Sequence, residues 1–274
     1  MVGIGASKAR SKGQVRMEQT GTNATKKDTR AEFQTRIGCL LRSQAYLDFC
    51  EEVYGYRLAL LNMMDHEQID TLTKLLALDA SDTLLDLGCG SGSLLTHLVQ
   101  QSGCRGIGID QLDRSNVLHA DERITYIEAD MRAIQQIELH PTATICVDSL
   151  YFVESLDDIL LTLYRKQNNR MFLFFSQYLF EPDEKKDRLK ADNTGLAEAL
   201  CRTGIPYTAI DFSANERALY ERSIRALERL QPAFEREGNL ELWQQKKQED
   251  LFGKQLYEQD RASRFLYLVP ARNS

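Results

Sequence analysis

Short, nearly unbroken apolar runs alternate with helix-length segments through the middle of the chain. The runs fall at 83–87, 106–109, 125–128, 143–148 and 171–176, and helical spacing marks 93–101, 131–137 and 156–164 between them. Strands apolar on both sides must be covered on both faces, so this alternation predicts a parallel sheet with helices on either side. Upstream, Leu40, Leu41, Tyr46, Leu47, Phe49 and Val53 share one helical face that Gly55 ends. Asp65 predicts the N-cap of a second helix with Ile69, Leu72, Leu75 and Leu76 on its inner face. Downstream come a helix over 193–202, a strand over 207–212, and a long helical stretch over 214–260 interrupted at Pro232 and at 237–239; "RFLYLVP" is the last strand.

This pattern divides the 274 residues into a basic segment 1–30, an N-terminal helical cap 31–78, a ligand-binding core 79–212, a helical insertion 213–260 and a final strand with the C-terminus, 261–274. Segment 1–30 is poor in large apolar groups and rich in Lys, Arg, Ser, Thr and Gly, so disorder is expected there. Met17 is an alternative first residue, and whether residues 1–16 are native stays open.

Composition narrows the function classes. A hydrophobic share of 43% allows a sizeable core. A net charge of −6 disfavours nucleic-acid binding, which normally needs a basic face. The six cysteines form no C-x-x-C pair and read as reduced thiols of a cytoplasmic protein. The four histidines carry no zinc-type spacing, so no metal is expected. No apolar run is long enough to span a bilayer.

The chemistry concentrates in "TLLDLGCGSGSLLTHL", 83–98, where Asp86-x-Gly88-x-Gly90-x-Gly92 stands between a strand and a helix. Alternate glycines let a backbone turn sharply and let a ligand approach closely. A dinucleotide site would use G-x-G-x-x-G; here the third glycine comes one residue early. Asp110 ends the next strand 22 residues after Gly88, suited to both hydroxyls of a ribose. Asp130 ends the third strand, suited to an exocyclic amine, and Asp148 ends the fourth. Each acid alone also fits a helix N-cap; the row of four points to one shared nucleoside site.

Asp86-Leu-Gly-Cys-Gly-Ser-Gly92, Asp110, Ala129-Asp130 and Asp148-Ser-Leu-Tyr-Phe152 resemble the class I S-adenosylmethionine-dependent methyltransferases, and the helices flanking the core look like those of bacterial small-molecule members. The likeness spans about 46–270. It implies an α/β, doubly wound, mostly parallel seven-stranded sheet (the Rossmann-like methyltransferase fold) with an antiparallel last strand, N-terminal helices and a late helical insertion. It implies S-adenosyl-L-methionine as cofactor, with Gly88, Cys89, Gly90 and Gly92 beneath its methionine–ribose portion. Asp86 would meet the ammonium, Asp110 with Gln111 the ribose, and Asp130 with Met131 the adenine.

The expected reaction is in-line methyl transfer to an N, O or C atom of a small organic acceptor. Asp148 and Tyr151 are the candidates facing the methyl group, Asp148 also toward the cofactor's amine; Tyr151 and Phe152 equally suit core packing. Tyr54 and Arg57 could cover the cofactor, or simply pack. The helices after Phe212 look like the acceptor's enclosure. A tRNA or rRNA methyltransferase, a non-catalytic S-adenosylmethionine-binding regulatory subunit and a nicotinamide-dependent oxidoreductase remain alternatives; the acceptor and the oligomeric state are not legible.

Overall fold

The computed structural model describes residues 30–113, 121–166 and 168–272; the expectation of disorder over 1–30 falls, except for Arg30, outside them. Two helices open the described chain, α1 (Arg30–Arg42) and α2 (Gln44–Tyr54). The single helix expected through Leu40 and Val53 is broken at Ser43, whose extended backbone lets its Oγ accept from the Tyr46 amide at 3.1 Å. Glu237, distant in sequence, reinforces the break by accepting from Ser43 Oγ at 2.5 Å and the Ala45 amide at 2.9 Å. Gly55 closes α2 with φ of 82°. Helix α3 (His66–Leu76) starts on Asp65 as expected, the carboxylate accepting from the Gln68 amide at 3.1 Å.

The core then alternates β1 (Thr83–Leu87), α4 (Ser93–Ser102), β2 (Arg105–Asp110), β3 (Ile124–Glu128), β4 (Ala143–Val147), α5 (Asp157–Tyr164), β5 (Arg170–Tyr178), α6 (Gly195–Thr203) and β6 (Thr208–Asp211). Helices α7 (Ser213–Arg236) and α8 (Leu240–Glu258) lead into β7 (Ala262–Val269). The seven strands lie in the order β3-β2-β1-β4-β5-β7-β6, with β7 antiparallel to both neighbours and the remaining pairs parallel. The sheet is wound outward in both directions from β1 and β4, so a crevice opens beyond their carboxyl ends.

Pleating divides the core between two faces. Leu84, Ile145, Phe172 and Phe174 pack with α2, α3, α4 and α7; Leu85, Leu87, Cys146 and Leu173 pack with α5 and α6. Each fully buried Leu, Ile or Phe is worth about 1.5–3 kcal/mol. The expected helix after β3 is instead a 3₁₀ turn, Met131–Gln136, because the Asp130 carboxylate and carbonyl take the Arg132 and Ala133 amides.

Helix α7 runs unbroken through Pro232, contrary to the expected interruption. Pro232 lies on the exposed side, where water can satisfy the carbonyl its ring leaves without a donor, while Leu227, Leu230 and Phe234 anchor the buried side. The stop comes at Gly238, φ 73°, with Asn239 donating back to the Phe234 carbonyl at 2.8 Å. Helix α7 packs against both α2 and α8, so the N-terminal helices and the late insertion, far apart in sequence, build one helical layer. Among the described residues no helix is long and apolar enough to cross a membrane.

Candidate cofactor and acceptor site

The glycine loop is strapped to the neighbouring strand by backbone. Gly88 and Cys89 both donate to the Ile109 carbonyl, at 2.8 and 3.2 Å, and the Gly92 amide returns to Cys89 at 2.9 Å before α4 begins. Gly88 has φ of 83°, and a Cβ there would overlap Ser149 Oγ at the tip of β4, so strand tip and loop touch only because the side chain is absent. At Gly90, φ 54°, a Cβ would meet only Leu61 Cδ1, 3.3 Å away. The crest of the loop is therefore bare backbone under a single aliphatic side chain.

Three of the four acids converge on this loop. The Asp110 carboxylate accepts from the Gly90 amide at 2.8 Å and the Leu112 amide at 2.9 Å, which anchors the crest to the β2 tip. Gln111 is exposed beside it, its carbonyl accepting from the Gln34 side chain at 3.4 Å. Asp86 is buried beneath the loop. No hydrogen bond or ion pair among the described residues compensates it, and desolvation, with the Asp110 charge adding, pushes its carboxyl up to about 8. A buried acid without a partner suits an incoming cation. Asp148 connects through its neighbour, as Ser149 Oγ donates to the Gly88 carbonyl at 3.2 Å.

Asp130 lies one strand further out and is half-buried. Its carboxylate takes the Arg132 amide and guanidinium at 2.9 Å, and that pairing holds it below the usual carboxylate range. Met131 places Cε within van der Waals reach of the Gly88 side of the loop.

The two residues expected to face the methyl group are already engaged. Asp148 has φ of 52° and receives four donors: Arg264 at 2.6 and 3.0 Å, Tyr151 Oη at 3.0 Å and the Met63 amide at 3.0 Å. These fill the lone-pair positions of a carboxylate. Tyr151 donates to Asp148 and accepts from the Ser176 amide at 2.7 Å, and its ring packs 4.9 Å from Phe175. Burial pushes its hydroxyl well up, the Asp148 charge adding. Neither side chain offers a free acceptor for a proton; both are committed to partners within the protein. Arg57 pairs with Asp48 and Glu51 on the surface, and Tyr54 is a core residue. Phe152, by contrast, is largely exposed at 66%.

Sequence reasoning missed the polar cluster behind Asp148. Arg264 and Glu216 are both fully buried, with Nη1 to Oε1 at 3.4 Å; Glu216 also accepts from Ser176 Oγ at 2.9 Å, Tyr178 Oη at 3.0 Å and Tyr257 Oη. Burial pushes the Glu216 carboxyl up, and Arg264 and Tyr257 pull it back. The available signal was an arginine opening the apolar run "RFLYLV", since an arginine inside a sheet demands a carboxylate. Also missed was the segment from Ala59 to Met63, which crosses the crevice. Its Ala59 carbonyl accepts from Ser91 Oγ at 3.1 Å, its Leu60 carbonyl from Tyr46 Oη at 2.5 Å, and its Met63 amide reaches Asp148.

A family profile described as a methyltransferase domain matches residues 61–209, from this crossing segment to β6. No curated protein matches the sequence significantly. Among solved structures, phosphoethanolamine N-methyltransferase 2 from Haemonchus contortus superposes with a TM-score of 0.66 at 14% identity over 86% of this chain; the chain spans only 60% of that enzyme. A cyclopropane synthase from Mycobacterium tuberculosis gives a TM-score of 0.62 at 13% identity, covering 86% of this chain and 98% of that one. A methyltransferase from Geobacter sulfurreducens, crystallised with S-adenosyl-L-homocysteine, gives 0.54 at 18% identity, covering 82% and 98%. Likeness at these identities speaks for a shared fold.

Proposed function

The chain belongs to the methyltransferase-domain family, and on that premise we propose that it transfers a methyl group from S-adenosyl-L-methionine to an N, O or C atom of a small organic acceptor. The observation that carries this reading is the uncompensated Asp86 carboxyl beneath a bare glycine crest, with Asp110 beside it. A cationic amino-acid tail attached to a ribose matches that pair of acids; a pyrophosphate would be repelled by Asp110 and would oppose ionisation of Asp86.

When bound, S-adenosyl-L-methionine supplies an activated methyl group on a positively charged sulfur. The residues of the chain bind, orient and exclude water. Asp86 would accept the ammonium, giving up its proton to solvent as it ionises, Asp110 would take the ribose hydroxyls, and Gly90 would let the backbone approach the ligand closely. Asp130 and the Met131 backbone border the adenine. The crossing segment and the α7–α8 layer close the acceptor side, where Asp148 and Tyr151 shape the tip of β4 and do not themselves take the proton. Orientation alone can be worth about 7–11 kcal/mol, so in-line displacement would not require a dedicated base, any proton of the acceptor passing to solvent.

The test is calorimetry with S-adenosyl-L-homocysteine followed by incubation of the protein and labelled S-adenosyl-L-methionine with cell extracts that contain both small molecules and RNA. Saturable binding and a labelled small product are expected. Binding without any product would favour the regulatory-subunit reading; label appearing only in RNA would favour the RNA methyltransferase.

A further inference from the structure

One buried residue outside the glycine loop meets the elements that converge on the acceptor side of the crevice. Arg264, in β7, forks onto Asp148 with Nη1 to Oδ1 at 2.6 Å and Nη2 to Oδ2 at 3.0 Å. The same Nη1 donates to Ser176 Oγ at 2.9 Å on β5 and lies 3.4 Å from Glu216 Oε1 on α7. Its Nε is buried with no partner among the described residues.

Stability is a poor account of this cluster. Buried ionic groups replaced by apolar side chains of similar volume are often neutral or more stable, because desolvation consumes the Coulomb gain. The unpaired Nε adds to that cost. What the cluster does fix is geometry. Asp148 holds a left-handed backbone, uncommon outside glycine, and a forked arginine fixes the plane of its carboxylate as well as its position. From that turn, Ser149 reaches the Gly88 carbonyl of the cofactor loop, and the other oxygen of Asp148 holds the Met63 amide of the crossing segment. Glu216 carries the connection into the cap, where Tyr257 of α8 donates to its second oxygen. Loop, strand tip, crossing segment and both cap helices are thus joined through one guanidinium.

We propose that Arg264 is a positioning residue: its fork sets the Asp148 turn against the glycine loop, and its contact with Glu216 ties the helical cap to that turn, so that the order of the cap follows cofactor occupancy. The inference rests on the S-adenosyl-L-methionine reading given above. It requires two states of the cap that ligand binding at the loop biases, and the chain of contacts supplies the path.

Hydrogen exchange of 213–258 with and without S-adenosyl-L-homocysteine tests it, run on the wild type and on Arg264→Lys, which keeps the charge and loses the fork. The ligand should slow exchange across α7 and α8 in the wild type. That ligand-dependent slowing should be lost in Arg264→Lys while calorimetry still records binding. Equal slowing in both proteins overturns the proposal, and so does a wild-type cap indifferent to the ligand. Should Arg264→Lys fail to fold, Glu216→Leu, of similar size and without an acceptor, cuts the same connection at the cap end, and slowing retained there overturns it equally. A wild type that does not bind S-adenosyl-L-homocysteine at all defeats the methyltransferase reading and this inference with it; the other outcomes bear on the coupling alone.

Discussion

Asp86→Asn removes a buried carboxyl of the crevice that has no partner among the described residues. The consequence follows from where that carboxyl titrates. Its ordinary value near 3.8 is raised to about 8 by burial and by the charge of Asp110. In the unfolded chain the group ionises near pH 4; in the folded, ligand-free chain it keeps its proton to about pH 8. Folding therefore takes up a proton between those limits, and this group's contribution makes the protein less stable as pH rises through the window, levelling above it. A displacement of that size corresponds to on the order of 5 kcal/mol. Asparagine keeps the shape and carries no charge, so the variant should match the wild type near pH 4 and gain on it steadily up to pH 8. Urea denaturation of both proteins at half-unit steps from pH 4.5 to 9 measures the difference directly. Saturating S-adenosyl-L-homocysteine should remove the divergence, because its ammonium favours the ionised carboxylate, and the variant should bind it more weakly. Parallel stability curves for the two ligand-free proteins would refute the claim that Asp86 is buried without compensation, and with it the role assigned to that residue.

Further perturbations probe neighbouring parts of the site. Asp110→Ala should weaken S-adenosyl-L-homocysteine binding by tenfold or more, since hydrogen bonds to a charged group are worth about 1.5–3 kcal/mol; unchanged affinity by calorimetry counts against the ribose assignment. Gly88→Ala should lower the melting temperature sharply, because the added methyl overlaps Ser149 Oγ at a backbone angle that disfavours a side chain, and Ser149→Gly should restore part of the loss. Tyr151→Phe strands the Ser176 amide and removes one donor from Asp148, so about 1–3 kcal/mol of stability should be lost in urea denaturation while ligand affinity holds. A ligand affinity that falls as far as the stability would instead put the Tyr151 hydroxyl in contact with the cofactor.

What could be read from the chain in advance was what neighbouring residues decide among themselves. The run from Asp86 to Gly92 states its own geometry: a buried strand, a bend of alternate glycines and a helix start, all within ten residues of Thr83. The central strands were equally legible, because β1 and β4 are buried along their whole length and read as apolar runs. Ser43 was not legible. The pattern on either side of it continues as one helix, and the break depends on Glu237, which only the fold brings alongside. Pro232 misled in the opposite direction, since its cost is set by whether its side of α7 faces water, and that is known only once α7 lies on α2 and α8. The same reasoning explains why Asp148 looked like a free acid. Seen alone, a carboxylate at a strand tip is available; its availability is decided by β7, which inserts antiparallel between β5 and β6 and brings Arg264 across from the far end of the chain. The winding of the sheet, more than any local motif, determines which acids remain open to a ligand. Asp86 stays unpaired because its neighbouring strands, β2 and β4, bring glycine and apolar residues to its level, whereas Asp148, at the tip of central β4, is within reach of Arg264 from β7 beyond β5. Two aspartates of similar sequence context thereby end in different surroundings, Asp148 paired with a cation from within the protein and Asp86 without one, which is what the proposed function uses.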